Sequence, residues 1–334
     1  MVGFAVLGCG RIGRMHAHDI HAHHRATLVS CYDVIRGAAE DTAKELGVAV
    51  ADSVDDVLSD RRVQAVLIAS STTTHTDLIT RCVKAGKAVF CEKPIDLDTA
   101  RVDACWADIA PLDPLIMIGF NRRFDPSFKA LRERVQAGGI GRLEQLVITS
   151  RDPSPPPPSY VASSGGLFRD MMIHDFDMAR SLAGEIVAVQ AMGANLIDEE
   201  IAQLGDIDAA MVVMRAASGA LVHINNSRRC AYGYDQRIEV FGETGMLQVH
   251  NRHKTMVESW GAGQTRAMDP VQDFFIARYA EAYVAEIGHF VDCIERGEKP
   301  LVGFTDGREA LLLADAALES LHSGAVVRLL SGKH

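Results

Sequence analysis

The stretch VGFAVLGCGRIG, residues 2–13, decides the fold. Its first six residues form a nearly continuous apolar run, the pattern of a parallel strand buried on both faces. Gly8, Gly10 and Gly13 follow at the spacing G-x-G-x-x-G and lead into RMHA, so the segment reads as strand, turn, helix. Each glycine has a steric duty: a tight turn, close approach of a pyrophosphate, and close packing of the helix. The helix N-terminus would then hold phosphate, with Arg11 and Ile12 of the turn among the expected cofactor contacts. Twenty residues after Gly13, Asp33 closes a second apolar run, ATLVSCYD (26–33). A carboxylate there accepts hydrogen bonds from ribose hydroxyls and repels a 2′-phosphate, so NAD is expected over NADP. Arg36, three residues on, is the one group that could turn toward a 2′-phosphate.

Working outward, helix-like RGAAEDTAKELG (36–47), THTDLITRCVKAG (74–86) and TARVDACWADI (99–109) alternate with strand-like VQAVLIAS (63–70), KAVFCEK (87–93) and PLIMIGF (114–120). Such an alternation builds a doubly wound parallel α/β sheet, a Rossmann domain, over residues 1–120. Past residue 120 a helix (125–138) is followed by LEQLVITSR (143–151) and then by IVAVQAMGAN, AAMVVMRA, GALVHINN, QRIEVFG and MLQVH. The turns ASG (217–219) and GETG (242–245) between these runs suggest hairpins. Residues 121–334 are therefore expected to form an α+β domain on a large, mostly antiparallel open sheet, its last helices able to pack back on the first domain.

A length of 334 residues suits two domains, and 48% hydrophobic with 23% charged residues excludes disordered, collagenous and coiled-coil chains. A net charge of −10 without a basic run argues against nucleic acid. No apolar stretch approaches the roughly 20 residues of a membrane span, and no signal segment opens the chain, so a cytoplasmic location is expected. Seven scattered cysteines without a Cys-x-x-Cys pair point to free buried thiols, not disulfides or a zinc-thiolate site. His16, His18, His21, His23 and His24 scatter around the first helix without a carboxylate to complete a site, so no metal is expected.

Ligands of doubly wound folds collect outside the carboxyl ends of the strands. Ser70, Thr72 and His75 in SSTTTH are placed to line the nicotinamide half of a cofactor channel, while Thr74 reads as a helix cap. Glu92-Lys93-Pro94 ends the next strand with a lysine on a fixed backbone, and Glu92 and Lys93 are expected among the cofactor contacts. In GGLFRDMMIHDFDMARSLAG (165–184), Asp170 and His174 are spaced i, i+4, one turn apart on one helix face, with Asp177 close to the same stripe. A carboxylate beside an imidazole suits acid/base chemistry; the alternative is a cap and a core histidine. One histidine on that helix excludes an H-E-x-x-H zinc site. The proline-rich SRDPSPPPPSYVASSGG (150–166) reads as a loop, either a lid or a connector. Tyr279 and Tyr283 share a helix face and suit either core or substrate contact.

The segments GCGRIG, ASSTTTH, EKP and D-M-M-I-H together resemble the Gfo/Idh/MocA oxidoreductase family over essentially the whole chain. The resemblance implies that Lys93 reaches a substrate hydroxyl and that Asp170 and His174 stand beside the substrate, His174 as general base. IHDFDMAR looks closest to the inositol dehydrogenase branch, which implies a cyclic polyol, myo-inositol foremost, oxidised with NAD. Arg123 (with Arg122 beside it), Asp152 and Tyr234 are then the expected polyol contacts. A scyllo-inositol or sugar dehydrogenase, or an aldose reductase favouring NADPH, is the alternative within the family, and a non-catalytic cofactor-binding sensor the alternative outside it. Packing of the open sheet on a partner subunit, as a homotetramer, is implied by the resemblance alone.

Overall fold

The N-terminal apolar run becomes β1 (Val2–Leu7), every residue of it buried, at the centre of a six-stranded parallel sheet. The remaining strands are β2 (Ala26–Tyr32), β3 (Ala49–Val50), β4 (Ala65–Ile68), β5 (Ala88–Cys91) and β6 (Ile116–Ile118). Their order is β3-β2-β1-β4-β5-β6, with every neighbouring pair parallel. The order reverses beside β1, which is where a doubly wound sheet opens its ligand crevice. Helices α1 (Arg11–Ala22), α2 (Arg36–Leu46), α3 (Val54–Ser59), α4 (His75–Lys84) and α5 (Thr99–Ile109) fill the crossovers. The short β3 and α3 were not expected from the sequence, where ADSVDD offers too few apolar positions to show a period. These coordinates are a computed structural model that describes residues 1–329.

After β6 the chain forms α6 (Pro126–Gln136), with Pro126 in the first turn and the Asp125 carboxylate accepting from the Ser127 and Phe128 amides. A second, seven-stranded sheet is built from β7 (Leu143–Arg151), β8 (Ile186–Ala194), β9 (Ala209–Ala216), β10 (Leu221–Ser227), β11 (Asp235–Gly242), β12 (Gly245–Val249) and, beyond a small hairpin of β13 (Glu258–Gly261) and β14 (Gln264–Met268), β15 (Val327–Arg328). Its order is β12-β11-β7-β10-β9-β8-β15, antiparallel except for the parallel pair β7 and β10. Between β7 and β8 lie α7 (Pro158–Ser164), α8 (Gly166–Asp170) and α9 (Ile173–Ala183); α10 (Glu199–Gln203), α11 (Phe275–Arg278), α12 (Ala280–Arg296) and α13 (Phe304–Ser323) complete the helices.

Burial alternates strictly along β9 and β10, as one covered and one open face require. The open face carries exposed Met192, Met211, Val213, Leu221, Phe241 and Met246. Under the covered face, Tyr279 donates to Gln236, which is bonded to Ser150, and Arg278 forms a buried ion pair with Asp125 at 2.5 Å. The proline-rich segment is only in part a loop: residues 152–157 are irregular, but α7 begins at Pro158, whose fixed φ suits the first helical position.

The chain forms two compact units. One comprises Met1–Phe124 with Glu281–Leu311; the other comprises Asp125–Ala280 with the described residues from Leu312 to Leu329. Phe290 of α12 lies against Phe4 and Phe90 of the first sheet, with ring centroids 6.1 and 5.9 Å away. All seven cysteines are free and buried. Among the described residues, no helix is long and apolar enough to cross a membrane.

Candidate active site

The glycine turn shows three different constraints. Gly8 has φ +97°, and a Cβ there would stand 2.5 Å from the Ser70 amide nitrogen. A Cβ on Gly13 would stand 1.8 Å from the Gly8 carbonyl oxygen, so α1 can lie this close to the turn only without a side chain. Gly10 is different: no atom lies within 4 Å of its Cβ position. It stands at the N-cap of α1, where it makes no side-chain cap hydrogen bond, and the first turn holds no acidic residue. Open space in front of a helix N-terminus fits a pyrophosphate. Arg11, exposed, and Ile12, half-buried, follow it.

Asp33 stands directly after β2 and accepts the Cys9 amide on one oxygen and the Ile35 amide on the other, each at 2.7 Å. A carboxylate offers about four acceptor sites, so two remain for ribose hydroxyls. Arg36 is committed elsewhere, to Glu40 at 2.7 Å and Asp52 at 2.6 Å. Turning it toward a 2′-phosphate would break both pairs, so the donor set fits NAD.

The loops after β4 and β5 are tied together by His75. Its ring is 1% exposed and stands against the carbonyl oxygens of Ser70, at 3.0 Å, and Pro94, at 2.8 Å. Burial pushes its pKa down. His75 is thus a brace between the two loops, where the sequence suggested a channel-lining side chain. Thr74 occupies the cap position of α4 without capping it: its hydroxyl donates to the Ser71 carbonyl and so accepts from Ser70 at 2.7 Å. Thr72 lies half-buried in the same turn.

Glu92 also departs from expectation. One carboxylate oxygen meets Nε2 of the fully buried His16 at 2.7 Å, and the other accepts the Lys93 amide at 3.3 Å. A Cβ on Gly119 would stand 3.0 Å from this carboxylate, so Gly119 leaves the room it occupies. The expected cofactor contact is instead turned toward α1. Lys93 itself is half-buried. Beyond it, Asp96 anchors the loop by accepting the Leu97 and Asp98 amides, the Thr76 hydroxyl and Arg101 Nε.

In the second unit Asp170 and His174 do not share a helix. Asp170 ends α8 and His174 lies in α9, and at the junction the Met171 and Met172 amides both bond to the Leu167 carbonyl, at 3.0 and 2.9 Å. The second bond spans five residues, a π-type turn that shifts the helical phase. Leu167, Phe168, Met171, Met172 and Ile173 are all buried, and packing five consecutive-turn apolar residues overrides the i, i+4 register. The Tyr160 hydroxyl of α7 donates to Asp170 at 2.9 Å, and the buried Arg228 stands 4.0 Å from its other oxygen. Arg228 also pairs with Asp206 at 3.1 Å. His174 is half-buried, whereas Asp177 is fully buried.

Of the expected polyol contacts, Arg123 is buried and bound to Asp306 at 2.9 Å within the first unit, and Arg122 beside it is buried as well. Asp152 follows β7, half-buried, its amide donating to Ser227. Tyr234 is buried with its ring edge-on to Tyr279, 6.0 Å between centroids. Tyr279 falls between α11 and α12 and Tyr283 inside α12, both buried, so they do not form the expected stripe. Sequence reading missed the carboxylates that face His16, the anchor Asp96, and the Tyr160 and Arg228 partners of Asp170. No local spacing announces the contacts of His16 with Glu92 and Glu286 or of Asp170 with Arg228, which are far apart in the chain.

Comparison with known proteins agrees with this geometry. Residues 2–120 match the model of the oxidoreductase family with an NAD-binding Rossmann fold, and residues 128–248 match the GFO/IDH/MocA C-terminal domain. The inositol 2-dehydrogenase of Rhizobium meliloti is 48% identical over 322 residues, 96% of this chain and 97% of the relative. A crystal structure of a myo-inositol dehydrogenase from Corynebacterium glutamicum superposes with a TM-score of 0.96 at 46% identity, over 99% of this chain and 100% of that one. A scyllo-inositol dehydrogenase from Lactobacillus casei, solved with bound NAD(H) and scyllo-inositol, superposes with a TM-score of 0.90 at 29% identity, over 98% and 99% of the two chains.

Proposed function

Because the chain belongs to the Gfo/Idh/MocA oxidoreductase family, we propose that it is an NAD-dependent dehydrogenase that oxidises one secondary hydroxyl of myo-inositol to the ketone, 2-keto-myo-inositol. The observation that carries this reading is the near full-length identity of 46–48% to inositol dehydrogenases, with E-K-P and D-M-M-I-H intact.

The glycine turn and Asp33 would hold NAD, which would serve as the hydride acceptor. The chain's own residues manage the proton and the developing charge. His174 takes the hydroxyl proton as general base, and Asp170 orients it. Lys93 donates a hydrogen bond to the reacting oxygen and stabilises its growing negative charge. The hydrogen on that carbon would leave with the bonding pair as hydride, so that each turnover would yield ketone, reduced cofactor and one proton. A polyol is uncharged, so discrimination among stereoisomers rests on buried donors and acceptors that a wrong isomer leaves unpaired. Asp152 and Tyr234 are assigned that role; Arg123, engaged with Asp306, holds its loop in shape for it. The exposed apolar residues on the open face of the second sheet support assembly with further copies of the chain, as a tetramer.

Initial rates of NADH formation, measured with NAD and a panel of myo-inositol, scyllo-inositol, D-chiro-inositol, D-glucose and D-xylose, test the reading. A dominant myo-inositol rate is expected. A sugar rate without an inositol rate would overturn the substrate, and a faster reaction with NADP would overturn the cofactor.

A further inference from the structure

The first unit encloses an acid that the reaction above does not use. Glu286 of α12 is 0% exposed, and neither of its carboxylate oxygens has a hydrogen-bond partner. Its nearest basic atom is His16 Nε2, 3.9 Å away, and that nitrogen is already bound to Glu92 at 2.7 Å. The imidazole is clamped edge-on by Phe90 and Tyr283, centroids 5.2 and 5.7 Å away. Asp19, one helical turn beyond His16 on α1, adds a further negative charge nearby.

Two occupants suit an imidazole and two carboxylates: a cation or a proton. Ligands about 2.1 Å from a tetrahedral ion stand about 3.4 Å apart, so the 2.7 Å between His16 and Glu92 marks a hydrogen bond and not shared coordination. His16 Nε2 donates its hydrogen bond to Glu92 and is not available to Glu286. That leaves Glu286 without a hydrogen-bond donor to hold an ionised form. Burial, with the charges of Glu92 and Asp19, pushes its carboxyl well above the usual range.

We propose that Glu286 is a neutral, proton-bearing acid that keeps the His16–Glu92 pair closed, and that this pair is a positioning device fixing Lys93 through the bond from its amide to Glu92. The inference deepens the proposed function and rests on it for the role of Lys93. Ionisation of Glu286 places a second negative charge beside Glu92 in a site closed to bulk solvent, which forces the pair apart. Lys93 then loses its fixed backbone. The groups that face Glu286 are His16 and Asp19 from α1 and Glu92 from the loop after β5, while Tyr283 of its own helix stands against the His16 ring.

The test compares the native enzyme with Glu286→Gln and Glu92→Gln. An acid whose proton is held more tightly in the folded state contributes stability that is full below its unfolded pKa and is lost as pH rises toward the folded one. The melting temperature of the native protein should therefore fall relative to Glu286→Gln from about pH 5 upward, the gap widening with pH. The native kcat should show an alkaline loss that Glu286→Gln lacks. Glu92→Gln should lower kcat about tenfold with KM for NAD changed less than about twofold, and should abolish the alkaline loss, because no charge is left at position 92 for an ionised Glu286 to repel. Parallel pH profiles for the native protein and Glu286→Gln would overturn the proposal, as would a stoichiometric divalent metal in the purified enzyme. If Glu286→Gln does not fold, the presence or loss of the alkaline limb in Glu92→Gln decides. The melting comparison needs no substrate, so its failure is distinct from failure of the inositol assignment.

Discussion

The glycine turn after β1 and the D-M-M-I-H segment of the second unit are both short motifs at fixed spacing, yet one was legible in full and the other was not. In the turn the spacing constrains the main chain: Gly8 and Gly13 stand where a Cβ would strike backbone, and no distant residue changes that. In D-M-M-I-H the spacing speaks for side-chain directions, which depend on an unbroken helix. A single five-residue turn at Leu167 breaks the helix and puts Asp170 and His174 on successive segments. Motifs that state a steric limit survive their surroundings; motifs that state an orientation borrow it from the packing around them.

The sharpest way to break this comparison is Gly13→Ala. With 1.8 Å to the Gly8 carbonyl, the methyl group should displace α1 and leave little or no soluble folded protein, read from expression and circular dichroism. A folded, active variant would show that the turn is not limited by sterics. His174→Asn should lower kcat by roughly 10²–10⁴ while NADH binding, followed by fluorescence titration, stays as in the native enzyme. A loss below tenfold would return His174 to the core. Gly10→Ala sharpens the contrast with Gly13: the methyl meets open space, so the ligand-free melting temperature should hold while NADH affinity drops about tenfold or more. Smallest is Tyr160→Phe, which removes one hydrogen bond to Asp170, worth about 0.5–1.5 kcal/mol, and should cost a few-fold in kcat/KM. No change with any polyol would mean that the α7 contact has no bearing on Asp170.

The strands β1, β2, β4, β5 and β6 of the first sheet and β7 to β12 of the second followed from periodicity, because apolar runs and alternating positions are local records of which faces are buried. β7 matches LEQLVITSR residue for residue. What escaped were arrangements that depend on partners far along the chain. His16 was read as one of five scattered histidines because the carboxylates that meet it are Glu92 and Glu286, which share no window of sequence with it. His75 and Glu92 were placed correctly at strand ends, but the direction of each side chain was set by what it found: two carbonyl oxygens in one case, an imidazole in the other. The polyproline run read as a loop because it is too stiff and donor-poor for a central strand, yet its last proline opens α7.

The place of Phe290 carries a consequence for how the protein is made. Its ring closes the core over Phe4 and Phe90, although it is translated only after residues 125–280, which belong to the other unit. At about 5–20 residues per second, the ribosome takes roughly ten to thirty seconds to cross that interval. Through that time the nascent first sheet has its strands but not the helix that seals them, and Phe4 and Phe90 lack their cover. The nucleotide-binding half is thus the first to be synthesised without being the first to be complete, and the growing chain depends in that interval on whatever shields apolar surface at the ribosome exit.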